Sequence, residues 1–332
     1  MIKKRITPIL IGFSIFVFAY AEPIDVGKGT LKLGGILQTT LSYTQDTLSP
    51  QTSFKMSRAR FLFFGAIIPD KVKYFIQTEA TGSPLLLDTK LQFFYLPKTE
   101  ITCGRFLPNF TYYMPQSTAK LDLVNYPLVT TKYAVWRQVG IQTTTTTDYL
   151  DLNLGVFNGY PANNLADNND AKDLLGRATF KLLNGIQLFG YAWMGNLLMA
   201  EDTDLENSRY GGGISIERNL SENGMAIVLR GEYLMAGDED TTNATVNSMA
   251  YYGHAEFRLN PQIGLLVRYD GYDANTDVAD NGLNWITGGV NFYLAGTNVM
   301  FYLNYIKKIN DVPSGSSDPD DDEVILQAQV AF

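Results

Sequence analysis

The chain ends, at residues 323–332, with the stretch EVILQAQVAF. Because side chains alternate along a strand, Val324 and Leu326 share one face with Phe332, whereas the polar Gln327 lies on the other face. A half-apolar strand with nothing after it leaves an open sheet edge, which is untenable next to lipid unless the sheet closes on itself. The stretch therefore predicts an all-β fold, a closed antiparallel transmembrane β-barrel.

The opposite end of the chain has the pattern of a signal peptide. Three cations precede an apolar run at residues 6–18, and residues 19–21, Ala-Tyr-Ala, have the small-x-small form of a cleavage site. The run is too short to span a bilayer comfortably as an anchor. We therefore expect residues 1–21 to be a cleaved signal peptide, and residues 22–332 to form a barrel in the outer membrane of a Gram-negative-type envelope.

The composition fits one large barrel better than a set of soluble domains. The 332 residues include 20 Tyr and 19 Phe, enough for aromatic girdles, and no linker divides the chain. The single cysteine, Cys103, excludes an intramolecular disulfide framework. A formal net charge of −8 makes the chain a poor candidate for binding nucleic acid.

Alternating apolar residues and turn residues predict sixteen strands. Most are about ten residues long, which is the length that a tilted strand needs to cross the hydrocarbon layer. An even number of strands places both ends of the barrel on the periplasmic side. The predicted strands lie near 31–44, 53–67, 71–80, 86–96, 100–106, 135–144, 148–157, 174–183, 186–197, 208–218, 224–235, 248–259, 262–271, 283–294, 297–308 and 323–332.

The connections between these strands alternate between tight turns and longer polar segments. Outer-membrane barrels have short periplasmic turns and longer outer loops, whereas a soluble β-sandwich has no reason to segregate loop length by side. The tight turns lie at 69–70, 97–99, 145–147, 183–185, 260–261 and 295–296, with a longer turn at 219–223, and the outer loops include 162–173, 201–207, 237–247, 273–281 and 310–322.

The longest connection covers residues 107–134 and follows the fifth predicted strand. It has more apolar surface than a solvated loop tolerates, with large side chains that include Phe110, Tyr112, Tyr113, Leu121, Leu123, Val124, Tyr126 and Tyr133. We therefore expect a third outer loop that folds into the lumen and constricts it, with an ordinary exterior loop as the alternative. Lys120 and Lys132 lie within this segment, and Arg137 lies just beyond it.

Sorting each strand into two faces places many basic residues on the lumen face. In the second strand Phe61 and Phe63 face lipid, so that Arg58 and Arg60 project inward. The fourteen lumen cations assigned in this way are Lys32, Arg58, Arg60, Lys71, Lys73, Lys90, Arg105, Arg177, Lys181, Arg209, Arg230, Arg258, Arg268 and Lys308, against seven acids, Glu79, Asp88, Asp151, Glu217, Glu232, Glu256 and Asp270.

The predicted lumen is therefore basic although the whole chain is acidic, because many acids lie in the outer loops. Loop charges that face bulk electrolyte are screened within about 8–10 Å, whereas a basic passage with low-dielectric walls concentrates anions. We expect anion preference on this basis. The alternative is a weak field, because wall arginines could pair with acids, as Arg230 with Glu232 or Arg258 with Glu256.

Several short motifs resemble the phosphate-selective porin O/P family. They are FKMSRAR at 54–60, GRFLP at 104–108, and FNG at 157–159 followed by NDAKD at 169–173 and GR at 176–177. The resemblance implies a sixteen-stranded outer-membrane porin, commonly a trimer, with an inward-folded third outer loop and basic residues that guide anions such as phosphate. Arg58 and Arg60 match the paired-arginine strand of the family.

Ten cations are the candidate pore-lining or anion-binding residues. Catalysis finds little support, because the only histidine, His254, is assigned to the lumen face, whereas an outer-membrane lipase needs its histidine and serine on the lipid side. No cofactor motif occurs, and the acidic run at 318–323 lacks the ligand spacing of a calcium loop. The ten candidates are Arg58, Arg60, Arg105, Lys120, Lys132, Arg137, Arg177, Arg230, Arg258 and Arg268.

Three functions stay open at this point. They are a passive porin for small anions, a general diffusion porin without selectivity, and a barrel that acts mainly as a surface anchor or adhesin. Short outer loops disfavour the third function. The expected partners are outer-membrane lipid, small anions such as phosphate, further copies of the chain in a homotrimer, and the barrel-assembly machinery, whose recognition signal Phe332 resembles.

Overall fold

A computed structural model describes residues 24–27, 29–46, 50–82, 85–159, 163–167, 170–199, 203–240, 242, 244–312, 318–319 and 321–332. The predicted signal peptide, residues 1–21, lies outside the described residues.

Sixteen strands close into one antiparallel barrel. Each strand from β2 onward pairs with the next one along the chain, and β17 pairs with β2 to complete the cylinder. The short strand β1 forms a hairpin with the start of β2. The strands are β1 Ile24–Val26, β2 Gly29–Thr44, β3 Thr52–Ile68, β4 Val72–Glu79, β5 Leu86–Leu96, β6 Thr99–Phe106, β7 Gln138–Thr146, β8 Leu150–Phe157, β9 Asp173–Lys181, β10 Ile186–Met199, β11 Thr203–Asn219, β12 Ala226–Glu239, β13 Thr245–Asn260, β14 Ile263–Asp273, β15 Gly282–Tyr293, β16 Val299–Asn310 and β17 Glu323–Ala331.

The predicted barrel and its sixteen strands are confirmed, and the predicted strands correspond in order to β2 to β17. The strand ends differ from the prediction. β3 and β11 each have 17 residues, longer than the predicted span, because their pairing continues past the apolar band. Residues 203–207, predicted as loop, belong to β11, since they pair with the end of β10. β1 has only 3 residues and was not predicted.

The closing strand β17 alternates as its sequence predicts. Gln327 and Gln329 are buried on the lumen side, whereas Val324 and Leu326 are exposed on the outside. β17 pairs with β2 from the register Glu323 with Thr44 to Ala331 with Ile36. Both edges of the sheet are therefore hydrogen-bonded, which is the condition for a sheet that lies in lipid.

The outer surface of the barrel carries an apolar band. Leu33 and Leu37 of β2, Phe61 of β3 and Leu265 and Val267 of β14 are exposed, while the residues next to them along each strand point into the barrel. Exposed large apolar side chains recur on the other barrel strands in the same alternation. An outward apolar band with a polar interior is the pattern that a lipid bilayer requires.

Residues 107–134, hereafter the inner segment, lie inside the barrel. The segment contains a 3₁₀ turn at Thr118–Lys120 and one short helix, α1, at Leu128–Tyr133. Its apolar side chains pack with inward side chains of β8, β9, β10, β12 and β13 in one cluster, and Val124 joins a second cluster with β15, β16 and β17. No helix among the described residues is long and apolar enough to cross a membrane.

Candidate functional site

A cavity of about 430 Å³ remains between the inner segment and the wall formed by β2 to β5. We call it the basic cavity, because four cations and one carboxylate line it. The strands contribute three of the cations, and Arg137, which lies between the inner segment and β7, contributes the fourth. Its charged lining residues are Arg58, Arg60, Lys90, Arg137 and Asp88.

Arg58 and Arg60 reach the cavity from β3. A β-bulge at Ser57 separates Arg58 from the earlier part of the strand, because Gln38 of β2 pairs with Arg58 and the next residue pairs with Met56. The Nη1 atom of Arg58 donates to Oε1 of Gln38 at 2.6 Å. No carboxylate among the described residues pairs with Arg58.

The same bulge explains a cation that strict alternation misses. Lys55 pairs directly with Thr40, whose side chain is buried on the lumen face of β2. Directly opposite residues in a sheet share a face, so Lys55 also belongs to the lumen face. Strict alternation from Arg58 assigns Lys55 to lipid, because an extra residue in one strand reverses the pattern.

Arg60 and Arg137 are both held by carboxylates at the edge of the basic cavity. The Nε atom of Arg60 lies 2.9 Å from Oε2 of Glu79, and its Nη1 donates to the Thr118 hydroxyl at 3.0 Å. Arg137 donates from Nε and Nη2 to Oδ2 of Asp88, at 3.0 and 2.9 Å. These two arginines are therefore fixed in position and partly neutralised.

Lys90 of β5 differs from these arginines. Its Nζ lies 5.5 Å from the centroid of the Phe75 ring and 5.9 Å from that of Phe106, in the range of a cation–π contact. It pairs with no carboxylate among the described residues. Lys73 lies on the same wall near the turn between β3 and β4, with its Nζ 4.8 Å from the Phe94 ring centroid. Cations without a carboxylate partner are therefore grouped on this wall.

Hydrogen bonds from inward side chains hold the backbone of the inner segment. The partners come from β2, β7, β9, β11, β12, β14, β15, β16 and β17, on all sides of the barrel. They include Gln38 to Thr118 O at 3.3 Å, Asn109 N to Gln142 at 3.0 Å, Arg177 to Thr111 O at 2.5 Å, Arg209 to Tyr133 O at 3.0 Å, Tyr112 N to Glu232 at 2.9 Å, Leu128 N to Asp270 at 3.0 Å, Asn291 to Asp122 O at 2.7 Å, Val124 N to Asn304 at 2.9 Å, and Gln329 to Ala119 O at 2.9 Å.

Arg230 of β12 forms a buried ion pair with the inner segment. Its Nη1 lies 2.5 Å from Oδ2 of Asp122, and its Nε donates to the Tyr112 hydroxyl at 2.9 Å. The Tyr113 hydroxyl donates to the same Asp122 oxygen at 2.6 Å. Burial opposes ionisation of Asp122, but the adjacent Arg230 guanidinium outweighs it and holds the pKa of Asp122 below its usual value.

Of the two wall pairs suggested by the sequence, one is present. Arg258 donates to both oxygens of Glu256, at 3.0 and 3.1 Å. The pairing of Arg230 with Glu232 was wrong, because Arg230 turns to Asp122 and Glu232 instead accepts from Tyr191 and from the backbone of Tyr112. The carboxylate that Arg230 contacts lies in a distant part of the sequence, so local alternation could not identify it.

The other predicted site residues lie outside the lining of the basic cavity. Arg105 is buried and donates to the backbone carbonyls of Leu86, Leu87 and Asn163. Arg268 pairs with Asp270 at 2.6 Å and also donates to carbonyls of the inner segment.

The two lysines of the inner segment are exposed. Lys132 lies with its Nζ 4.8 Å from the Tyr272 ring centroid, and Lys120 ends the 3₁₀ turn. Of the ten predicted residues, Arg58, Arg60 and Arg137 therefore line the basic cavity, and Lys90, assigned only as a lumen cation, joins them.

His254 lies beneath the inner segment, opposite Arg230 on one side and Arg268 on the other. One imidazole nitrogen of His254 and one carboxylate oxygen each from Asp122 and Glu256 lie within 4.8 Å of one another. Three ligand atoms at this spacing are close enough to hold a metal ion. Arginine guanidinium groups already engage both carboxylates. The surrounding cations therefore disfavour a metal at this position.

Residues 226–332, which contain β12 to β17, match the family described as "Phosphate-selective porin O and P". The family resemblance is confirmed. No curated protein matches the chain.

The whole barrel is similar to solved outer-membrane proteins. An anion-selective porin from Comamonas acidovorans is 15% identical, with a TM-score of 0.69 over 92% of this chain and 100% of that one. OmpT of Vibrio cholerae, in its trimer form, is 12% identical, with a TM-score of 0.67 over 92% and 100%. The outer membrane channel DcaP of Acinetobacter baumannii is 12% identical, with a TM-score of 0.66 over 92% and 97%. These likenesses show the fold, that of an outer-membrane barrel.

Together, the family match and the fold support an outer-membrane porin channel rather than an enzyme. The family match covers β12 to β17, which are part of the wall packed against the inner segment, and not the strands of the basic cavity. The solute therefore has to be inferred from the cavity itself.

Proposed function

We propose that the protein is an outer-membrane porin through which small hydrophilic solutes diffuse passively, with a preference for anions. The observation that carries this proposal is the lining of the basic cavity, with four cations against one carboxylate. A narrow passage with low-dielectric walls raises the local concentration of ions of opposite sign. The net positive lining therefore favours anions.

Arg58 and Lys90 supply most of this preference. Arg60 and Arg137 already pair with Glu79 and Asp88, so their fields are largely cancelled at the distance of a passing ion. Arg58 and Lys90 have no carboxylate partner among the described residues. The preference thus depends on two side chains on one wall of the passage.

The inner segment is the constriction of the proposed pore. It packs against β8 to β17 and leaves the basic cavity beside β2 to β5. A solute that crosses the barrel then passes through the basic cavity, beside the hydrogen bond that joins Arg60 of β3 to Thr118 of the 3₁₀ turn. This geometry brings every permeating ion close to Arg58.

Phosphate is the anion suggested by the family match, and a homotrimer is the assembly suggested by the likeness to an outer membrane protein in its trimer form. We also propose that residues 1–21 are removed and that the mature protein is delivered to the outer membrane. Cross-linking of the purified protein in detergent tests the assembly, and a monomer band alone would contradict a trimer.

Reversal potentials in a tenfold KCl gradient across a planar bilayer test the anion preference. We expect a reversal potential of the sign that shows a higher permeability for chloride than for potassium. The double variant R58Q/K90Q should lose most of this preference while it still conducts. Arg258→Gln is the matched control, since Arg258 lies outside the basic cavity and is paired with Glu256. Cation selectivity of the unchanged protein would sink the proposal.

A second candidate function is a general diffusion porin without selectivity. The observation that favours it is the number of arginines already paired with carboxylates inside the barrel, including Arg60, Arg137, Arg230 and Arg268. Paired charges give a weak net field. A reversal potential near zero, unchanged in R58Q/K90Q, would favour this candidate.

A further inference from the structure

The basic cavity has an apolar lining as well as a charged one. Apolar residues line it both from the strands and from the inner segment, so that a molecule inside would touch hydrocarbon on two sides. From the strands come Ile36, Leu62 and Phe75, and from the inner segment and its end come Leu107, Tyr126 and Trp136.

The aromatic side chains of this lining are held in place. The rings of Tyr126 and Trp136 pack edge to face with centroids 5.9 Å apart, and Phe75 contacts Phe64 with centroids 6.4 Å apart. Ordered aromatic faces lose little conformational entropy when a ligand contacts them. The apolar part of the cavity is thus preformed.

This lining does not match a small inorganic polyanion. Phosphate gains from several charge-assisted hydrogen bonds and gains nothing from hydrocarbon. Two of the four cations are already engaged by carboxylates, and Asp88 itself faces the cavity, which disfavours a second negative charge on the solute. Only Arg58 and Lys90 remain to receive an anion.

We propose that the basic cavity prefers organic monocarboxylates with an apolar or aromatic body over inorganic phosphate. The inference rests on the proposed porin function and names its substrate class. The Arg58 guanidinium receives the carboxylate, with Lys90 as a second cation, and the body of the solute contacts Leu62 and Phe75 on the strands and Trp136 on the opposite side. The volume of about 430 Å³ lies within the range of about 300–1,000 Å³ that is typical of small-molecule sites.

Block of chloride current tests this inference on the purified full-length protein in planar bilayers. The probes are sodium salts of benzoate, acetate and phosphate at equal ionic strength and at a pH that keeps both carboxylates ionised. We expect the half-blocking concentration of benzoate to be about five- to tenfold lower than that of acetate, since benzoate adds apolar contact area to the same charge. It should also be lower than that of phosphate.

The possible outcomes separate the inference from the function on which it rests. A protein without chloride conductance overturns the porin function, and the substrate class with it. A conducting protein that phosphate blocks more strongly than benzoate overturns the substrate class alone. Equal block by benzoate and acetate also overturns it, because the apolar lining would then contribute nothing.

Variants locate the effect in the cavity. Leu62→Ala should raise the half-blocking concentration of benzoate about three- to fivefold and leave that of acetate unchanged. Phe75→Ala should raise the half-blocking concentration of benzoate by a larger factor than that of acetate, because the Phe75 ring also contacts Lys90. Phe63→Ala is the matched control, because Phe63 lies on the outer face of the same strand as Leu62. Chloride conductance reports that each variant has assembled. An equal loss of block for benzoate and acetate in both variants would overturn the inference.

Discussion

The two sides of the lumen differ in what covers their polar side chains. Along β8 to β17 the inner segment packs against the wall, and its backbone forms hydrogen bonds with inward amides, carboxylates and arginines. Along β2 to β5 the segment contacts the wall at Thr118, which accepts from Gln38 and Arg60, and leaves the basic cavity beside this contact. The same kind of strand, apolar outside and polar inside, therefore anchors the segment on one side and lines the basic cavity on the other.

The difference teaches that a lumen cation is not by itself a pore residue. Arg268 and Arg230 are almost fully buried by the inner segment, whereas Arg58 and Lys90 face the cavity with no carboxylate partner among the described residues. Burial of a charge with its partner makes it structural, because the field outside the pair is small. Only cations on the uncovered wall can act on a passing solute.

The largest effect should follow from loss of the Arg230 ion pair. Arg230→Met leaves the Asp122 carboxylate buried without its cation, which costs about 3–5 kcal/mol. We expect the inner segment to loosen on the packed side, so that single-channel current becomes larger and noisier. Single-channel recording and the heat-denaturation midpoint in detergent measure this.

Arg258→Met is the control for that variant. Arg258 also pairs with a carboxylate, but it lies near the periplasmic end with a partly exposed side chain and does not contact the inner segment in the hydrogen bonds described. The single-channel current of the Arg258→Met variant should stay as steady as that of the unchanged protein. Equal noise in the two variants would contradict a specific role of Arg230.

A smaller effect is expected at the 3₁₀ turn in the middle of the inner segment, where Gln329 donates to the carbonyl of Ala119 at 2.9 Å. Gln329→Ala leaves this buried carbonyl without its donor, at a cost of about 1–3 kcal/mol. The 3₁₀ turn beside the basic cavity should then move, and the conductance should change without loss of anion preference.

Gln327→Ala on the same strand is the matched comparison, because Gln327 is equally buried but its Oε1 has no hydrogen-bond partner among the described residues. Its heat-denaturation midpoint should fall less than that of Gln329→Ala. A larger fall for Gln327→Ala would show that lost side-chain volume, and not the bond to Ala119, governs this region.

Most of the barrel could be predicted from the sequence, because lipid outside and water inside impose the same alternation on every strand. The sixteen strands, their order and the closure of β17 on β2 all follow from that one pattern. Strand ends could not be predicted equally well, since pairing continues beyond the apolar band, as in β11.

The candidate site was predictable only in part. Alternation assigns Arg58 and Arg60 to the lumen, but it cannot show which lumen cations the inner segment covers. Asp122 and Arg230 are 108 positions apart in sequence, and no local pattern joins them. The bulge at Ser57 likewise reverses the alternation before Arg58 without a signal in composition.

The most direct test of the account compares the two sides of the lumen by cysteine accessibility, in a background with Cys103→Ser. The two positions to replace are Ser117, which lines the basic cavity, and Ser215 of β11, whose hydroxyl is buried beneath the inner segment near Tyr112. A negatively charged methanethiosulfonate reagent should reduce the chloride current of Ser117→Cys and leave that of Ser215→Cys unchanged. Rapid block of Ser215→Cys, with Ser117→Cys unaffected, would place the passage on the packed side and contradict the account.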